Sequence, residues 1–299
     1  MSKEQEILVF ETFYSCQGES LRVGVPSIFI RVFGCSASCP GFGQPKGKLI
    51  PIEEMPHNTF DASKITRVDQ LPVSNIGCDS AAAWSKKYRH LAKKYTVDSL
   101  IEHIESLVPK YAYERPDIVI TGGEPLLPKF QKFWVEFLKK TPNFSEITFE
   151  TNGTQRLSTD LFEAITNGNI RFTFSVSPKL EISGEPQSKM LKPEAVTSYR
   201  MLYAFDWSET GHNVYLKFVI RDNDDVEEVY HFINEYQKDY KEELSLKTCE
   251  KPTVYLMPEG ATIEGLKLTE TQVANIALEN GFRYSPRLHC SLFGNSWGT

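Results

Sequence analysis

Six cysteines have the widest chemical reach in this chain: Cys16, Cys35, Cys39, Cys78, Cys249 and Cys290. Two of them stand four apart in Gly34-Cys35-Ser36-Ala37-Ser38-Cys39, directly after an apolar run over residues 27–32. A [4Fe–4S] cluster usually takes four thiolates, and three would leave one iron open to a substrate or cofactor. By itself the spacing fits two buried thiols as well as two metal ligands. Polar or glycine-rich residues close four further strand-like runs: Thr121-Gly122-Gly123-Glu124-Pro125, Glu150-Thr151-Asn152-Gly153-Thr154, Ser175-Val176-Ser177-Pro178-Lys179 and Met257-Pro258-Glu259-Gly260. In a parallel α/β fold the C-terminal ends of strands share one rim, where sites form. Four such endings together argue for a site more strongly than any one of them.

The elements that must position these residues are legible as alternating patterns. Runs over residues 27–32, 117–121, 146–150, 171–175, 214–220 and 253–257 are rich in Ile, Val, Phe or Tyr. Several are nearly continuous apolar stretches, as parallel strands covered on both faces require. Between them, Leu100, Ile101, Ile104, Leu107 and Val108 share a helical face after a Thr96 cap, and Phe130, Phe133, Trp134, Phe137 and Leu138 repeat the pattern. So do Val226, Val229, Tyr230 and Ile233. The last helix is expected to open at the capping-box sequence Thr269-Glu270-Thr271-Gln272 and to stop at Gly281. Repeated β-α units imply a parallel sheet with right-handed crossovers, and about six strands are too few for a closed eight-stranded barrel. The expected fold is therefore α/β, a partial (β/α)6-type barrel forming one domain over residues 1–299. Residues 40–77, with Pro40, Pro45, Pro51, Pro56 and Pro72, and residues 180–212 break the rhythm and read as insertions.

Composition bounds the function. With 299 residues and 40% apolar content the chain can bury a full core, and its net charge of -6 argues against nucleic acid as the main partner. No apolar run approaches the ~18 residues of a membrane span, and the charged start Met1-Ser2-Lys3-Glu4-Gln5-Glu6 lacks a signal-peptide core. A cytoplasmic protein is expected, in which the cysteines are ligands or buried thiols rather than disulfides. The basic run Lys86-Lys87-Tyr88-Arg89-His90 fits a solvated helix face.

The motifs follow the order of a known family. The chain resembles radical S-adenosylmethionine enzymes of the 7-carboxy-7-deazaguanine synthase family, from Gln17 to Thr299, as a series of short islands. Members hold their cluster with Cys-x3-Cys-x2-Cys; here Phe42 stands where the third cysteine belongs, but Gly77-Cys78-Asp79-Ser80 is similar to the family's Cys-Asp-Thr. Residues 40–77 then read as an insertion into the cluster loop, at a closure cost of about 1–3 kcal/mol. Gln17-Gly18-Glu19-Ser20 resembles the family's Gln-Gly-Glu-Gly, and Gly122-Gly123-Glu124-Pro125 its GGEP box, where glycines let a cofactor approach the backbone. Arg31 sits inside an apolar strand, where an unpaired charge is expensive. Arg287-Leu288-His289 and Trp297-Gly298-Thr299 are similar to the closing segment.

The resemblance implies a [4Fe–4S] cluster on Cys35, Cys39 and Cys78, and S-adenosylmethionine against Gly122, Gly123, Glu124, Glu150, Asn152, Ser175, Ser177, Lys179, Met257 and Glu259. It implies a pterin, 6-carboxy-5,6,7,8-tetrahydropterin, against Gln17, Glu19, Arg31, Thr121, His289 and Thr299. Mg²⁺ would be held by Ser80, with Asp79 the next candidate. The implied reaction is radical ring contraction with loss of ammonia, fed by a flavodoxin- or ferredoxin-type donor, in a homodimer. Two other classes share some of these features: a radical activase of a partner protein, and a non-catalytic binding homologue, which Phe42 favours.

Overall fold

Alternate residues of a strand face opposite sides, and in the central strands of this chain both sides are buried. The computed structural model describes residues 4–141, 144, 146–204 and 211–299, so residues 205–210 of the expected insertion 180–212, and the first three residues of the N-terminal reading, lie outside the described residues. Strand β1 (Glu6–Cys16) runs antiparallel to β2 (Pro26–Val32). The chain then leaves the sheet, makes the short α-helix α1 (Pro56–Thr59) among several 3-10 turns, and returns as β3 (Lys93–Thr96), antiparallel to the other side of β1. A regular alternation follows: α2 (Val97–Leu107), β4 (Asp117–Gly122), α3 (Pro128–Lys140), β5 (Glu146–Thr151), α4 (Thr159–Thr166) and β6 (Arg171–Val176). After α5 (Gln187–Met190) and α6 (Pro193–Ala204) come β7 (Asn213–Ile220), α7 (Val226–Glu243), β8 (Thr253–Pro258), α8 (Ile263–Glu279), β9 (Arg283–Tyr284) and α9 (Leu288–Phe293).

The sheet order is β3-β1-β2-β4-β5-β6-β7-β8-β9. The six expected strands are β2 and β4 to β8, all parallel, with β9 added in parallel to β8. The sheet is open, a partial barrel. Sequence reading passed over β1, β3 and β9. A register shift between Val9 and Glu11 breaks the alternation of β1, and β3 and β9 are too short to show a period. The helix expected to open at Thr269 instead begins at Ile263, capped by Thr262, whose hydroxyl accepts from the Gly265 N–H; Thr269 lies inside it and donates to the Glu259 carbonyl. The capping-box pattern is present in the sequence, but a second cap at Thr262, about two turns earlier, wins because the apolar face already starts at Leu266.

Parity divides the strands between two environments. Ile28, Ile30 and Val32 of β2, Ile118 and Ile120 of β4, Phe172 and Phe174 of β6, and Leu216, Phe218 and Ile220 of β7 face the helices and join the main core. Each full burial contributes about 1.5–3 kcal/mol. Phe130, Phe133, Trp134 and Phe137 of α3 recur at helical spacing into that layer, and the Trp134 indole satisfies its N–H on the Pro125 carbonyl at 2.8 Å. The opposite parity faces inward: Phe29 and Arg31, Thr121, Glu150, Lys217 and Met257 all line one cavity. The intervening residues of β2 and β4 thus become the floor of a site because their neighbours are committed to the core.

Residues 40–77 hold 3-10 turns at Ile52–Glu54 and Val68–Gln70 besides α1. Ala62 and Leu71 from this stretch are buried in a second small core with Phe10, Phe33, Ala82, Ala83, Tyr88 and Leu91. The stretch 180–212 carries α5 and also α6, which makes the crossover from β6 to β7 and packs on α7. Among the described residues, no helix is long and apolar enough to cross a membrane.

Candidate active site

The chain leaves β2 at Val32 and turns over the rim, where Gly34 donates to the Ala83 carbonyl and accepts from the Glu124 N–H. Cys35, Cys39 and Cys78 come together at one end of the cavity, packed around Ala37, Phe42 and the fully buried Met190. The excursion between the second and third cysteines closes on itself at its base: the Gly77 N–H donates to the Phe42 carbonyl at 2.7 Å. Cys78 is thereby delivered beside position 42, despite residues 43–76 between them. The residue after Phe42 is pinned too, since the Gly43 N–H donates to Glu259 at 2.8 Å.

Burial pushes the Cys35 thiol up to about 12 and raises Cys39 and Cys78 as well, with the neighbouring thiols adding to the rise at Cys35 and Cys39. Three buried thiolates need a strong cation among them. Among the described residues, no three His, Cys, Asp or Glu side chains close on a point as one bare ion would require. A cluster distributes its thiolates over separate irons, and three thiols lining a common cavity are the donor type it takes.

The turn after β4 lies against the cysteine loop. A Cβ on Gly123 would stand 2.0 Å from the Gly34 carbonyl oxygen, so only glycine lets the two rims meet. Glu124 is fully buried and does not reach the cavity. Its carboxylate accepts from the Leu126 N–H at 3.0 Å, the Thr151 hydroxyl at 2.8 Å and the Asn152 N–H at 2.8 Å, stapling the end of β4 to that of β5. Asn152 donates onward to Ser36 in the cysteine loop at 2.8 Å. Lys179 donates to Ser177 at 3.1 Å, and both line the cavity with Gly122, Gly123, Asn152 and Met257. Glu259 also lines it, but its carboxylate is engaged by Arg221 at 2.7 and 2.9 Å and by Gly43.

The other end of the cavity is a network of buried charge. Glu150 accepts from the Gln17 amide at 3.1 Å and the Thr121 hydroxyl at 2.7 Å. Gln17 stands behind the wall, and its carbonyl oxygen orders the Gly18 and Glu19 N–H groups at 2.7 and 3.1 Å. Glu19 is ion-paired with Lys217 and, at 3.4 Å, with Arg287. Burial alone would raise the Glu19 carboxyl, but Lys217, then Arg287 and His289, outweigh it and hold the group well below the carboxylate range. Arg287 also pairs with Asp79 at 2.6 Å, and Asp79 accepts from the Ser80 hydroxyl at 3.1 Å. Arg31 is held by Glu11 at 2.8 Å, with its guanidinium 5.6 Å from the Trp297 ring centre. Burial, then Arg287, lowers the pKa of His289, so its imidazole is neutral at neutral pH. Cys290 is buried in α9 and does not line the cavity.

Of the residues singled out from sequence, all but Gln17, Glu124 and Ser175 line this one cavity. Lys217 and Arg287 were missed. The signal for Lys217 was present, a lysine inside the apolar run of β7, the same argument that picked out Arg31 in β2. Arg287 stood in a motif from which only the histidine was taken.

Three thiols at the C-terminal rim of an open parallel α/β sheet, beside a Gly-Gly-Glu-Pro turn, are the arrangement that the resemblance to radical S-adenosylmethionine enzymes implies. No family model matches the sequence. Along its length the chain resembles the 7-carboxy-7-deazaguanine synthases. It is 28% identical to one from Halobacterium salinarum over 96% of this chain and 90% of the relative, and 24% identical to one from Pyrobaculum aerophilum over the whole of both. A protein of the same name from Rhodopirellula baltica is 24% identical over all of this chain and 91% of its own. The crystal structure of QueE from Escherichia coli shares the fold, with a TM-score of 0.52 and 18% identity over 97% of this chain and all of that one.

Proposed function

We propose that this chain is a 7-carboxy-7-deazaguanine synthase, a radical S-adenosylmethionine lyase that contracts the ring of 6-carboxy-5,6,7,8-tetrahydropterin with loss of ammonia. The observation that carries the reading is the closed base at Phe42 and Gly77, which brings Cys78 to Cys35 and Cys39 beside the same cavity as Glu19, Arg31 and His289. The full-length likeness to proteins of that name supports it.

Cys35, Cys39 and Cys78 would hold a [4Fe–4S] cluster. When bound, the cluster and S-adenosylmethionine supply the one-electron cleavage and hydrogen abstraction. The protein supplies placement. Gly122, Gly123, Asn152, Ser177, Lys179 and Met257 would receive S-adenosylmethionine along the rim. Glu124, consumed by its own hydrogen bonds, acts by shaping that turn rather than by touching a ligand. Glu19, kept ionised by Lys217 and Arg287, offers acceptor oxygens to the N–H groups of a pterin ring. Arg31 offers a cation to a carboxylate. Neutral His289 can donate at one ring nitrogen and accept at the other. Ser80 offers a hydroxyl oxygen to Mg²⁺; Asp79, already paired with Arg287, is the less available ligand. A flavodoxin- or ferredoxin-type donor, a homodimer and a cytoplasmic setting complete the reading.

The test is anaerobic reconstitution with iron and sulfide, then incubation with S-adenosylmethionine, Mg²⁺, a reductant and 6-carboxytetrahydropterin. Mass spectrometry should find 7-carboxy-7-deazaguanine. Cofactor cleavage without that product would overturn the substrate assignment and revive an activase.

A further inference from the structure

The segment after β6 does something for the cysteine loop that neither the fold nor the proposed reaction requires of it. Cys39 is a non-glycine residue in the left-handed backbone region, at φ +47°, and it is buried. Such a conformation persists only where the surroundings over-determine it. The surroundings here are one carboxylate. Glu185 Oε1 accepts from the Ser38 N–H at 2.5 Å, the Ser38 hydroxyl at 2.9 Å and the Cys39 N–H at 2.9 Å. Its other oxygen is held by Lys189 at 2.6 Å, one helical turn further along. The Glu185 side chain is only 4% exposed, so these bonds are shielded from competing water.

Two further contacts make the segment a cradle. The Gly41 N–H donates to the Ser183 carbonyl at 2.8 Å, and a Cβ on Gly41 would stand 2.5 Å from both the Gly184 nitrogen and the Ile182 carbonyl oxygen. Met190, with no exposed surface, packs on Ala37 and Cys39. The cysteine loop has no regular structure of its own between β2 and the turn at Pro40, so its buried N–H groups need partners from elsewhere.

We propose that Glu185 is a positioning residue for the cluster: it locks the Ser38-Cys39 turn so that the Cys39 thiol faces Cys35 and Cys78 before any iron is bound. The inference rests on the cluster reading for its purpose, but the lock itself is a property of the metal-free protein. Three bonds to a charged acceptor are individually stronger than neutral ones, and their loss frees the turn locally while the barrel stays folded.

The test is alkylation of the metal-free protein with N-ethylmaleimide, each cysteine followed by peptide mass spectrometry, with Cys78 and Cys290 as internal references. Glu185→Ala should speed labelling of Cys39 by roughly tenfold or more while the references stay within about twofold of native. On anaerobic reconstitution the same variant should take up less iron than the native protein. Glu185→Gln keeps a carbonyl acceptor but loses the charge, and should fall between the two; it decides the matter if the alanine variant does not fold. An unchanged Cys39 rate in either folded variant, or an equal rise at all three cysteines, overturns the proposal. Faster Cys39 labelling together with no iron uptake by the native protein would leave the lock standing and sink the cluster reading instead.

Discussion

Changing Lys217 to methionine removes the principal partner of Glu19 without creating a hole, since the replacement is of similar length and the site is buried, with 6% of the lysine side chain exposed. Glu19, itself 13% exposed, is left with Arg287 at 3.4 Å. Breaking a buried pair costs about 3–5 kcal/mol because a charge stays behind uncompensated; the remaining arginine places the cost near the lower end, about 3 kcal/mol. At roughly 2.1 cal/mol/K per residue for the entropy of unfolding, that lowers Tm by about 5 °C in a chain of this size. The pH dependence is the sharper readout. In the native protein Glu19 sits below its ordinary value of 4.5, so its contribution is complete above that value and is lost as pH falls through the folded-state value. Lys217 sits above its ordinary 10.5, so its contribution is complete below that value and is lost as pH rises through the folded-state one. In the variant, burial is opposed by less positive charge and the Glu19 carboxyl rises, so protonation relieves the variant as pH falls. The gap in stability between native and variant should therefore be widest near pH 7 and should narrow toward pH 4. Melting curves of the metal-free protein across that range, read by circular dichroism, decide it. A gap below about 1 kcal/mol at pH 7, or one that does not change with pH, would refute the electrostatic account.

Cys78→Ala should abolish the absorption of the reconstituted cluster, as should changes at Cys35 or Cys39, whereas Cys249→Ala and His57→Ala should leave it intact; retention of full iron in the Cys78 variant with loss in Cys290→Ala would reverse the ligand assignment. Ser80→Ala should lower turnover and flatten its response to added Mg²⁺ with the cluster spectrum unchanged, and an unaltered Mg²⁺ titration would move the ligand elsewhere. Trp134→Ala should destabilise the protein by about 3–5 kcal/mol, seen as a lower Tm, because it empties a fully buried site in the main core; a shift of under 2 °C would mean that α3 collapses to fill the space.

The central parallel strands could be read from sequence because both of their faces are covered, which leaves long apolar runs. Those same runs hid the parity that matters for the site. In Val214 to Ile220 the eye sees one apolar block interrupted by Lys217, while the structure gives Leu216 and Phe218 to the helices and turns Lys217 to the cavity. Motif residues were legible where glycine or polar types end a strand, as at Gly122-Gly123 and Asn152. What they do there was less legible. Glu124 and Glu259 carry carboxylates that a ligand could use, yet both are saturated by backbone or arginine donors from distant parts of the chain, and no spacing in the sequence records those partners. Glu185 escaped notice for the same reason: its work is done across a separation visible only once β6 and the cysteine loop share a rim.

The closed base of the excursion, where Gly77 donates to Phe42, also sets an order of events in time. Cys35 and Cys39 are neighbours along the chain and need no long loop to close between them. Cys78 cannot join them until residues 43–76 have folded back, a step whose entropy must be spent before its contacts are won. A chain whose loop is still open has two cysteines within short reach of each other and the third sulfur still at large. Metal delivered at that stage would meet two ligands, and only a chain that has tied off its loop can offer three.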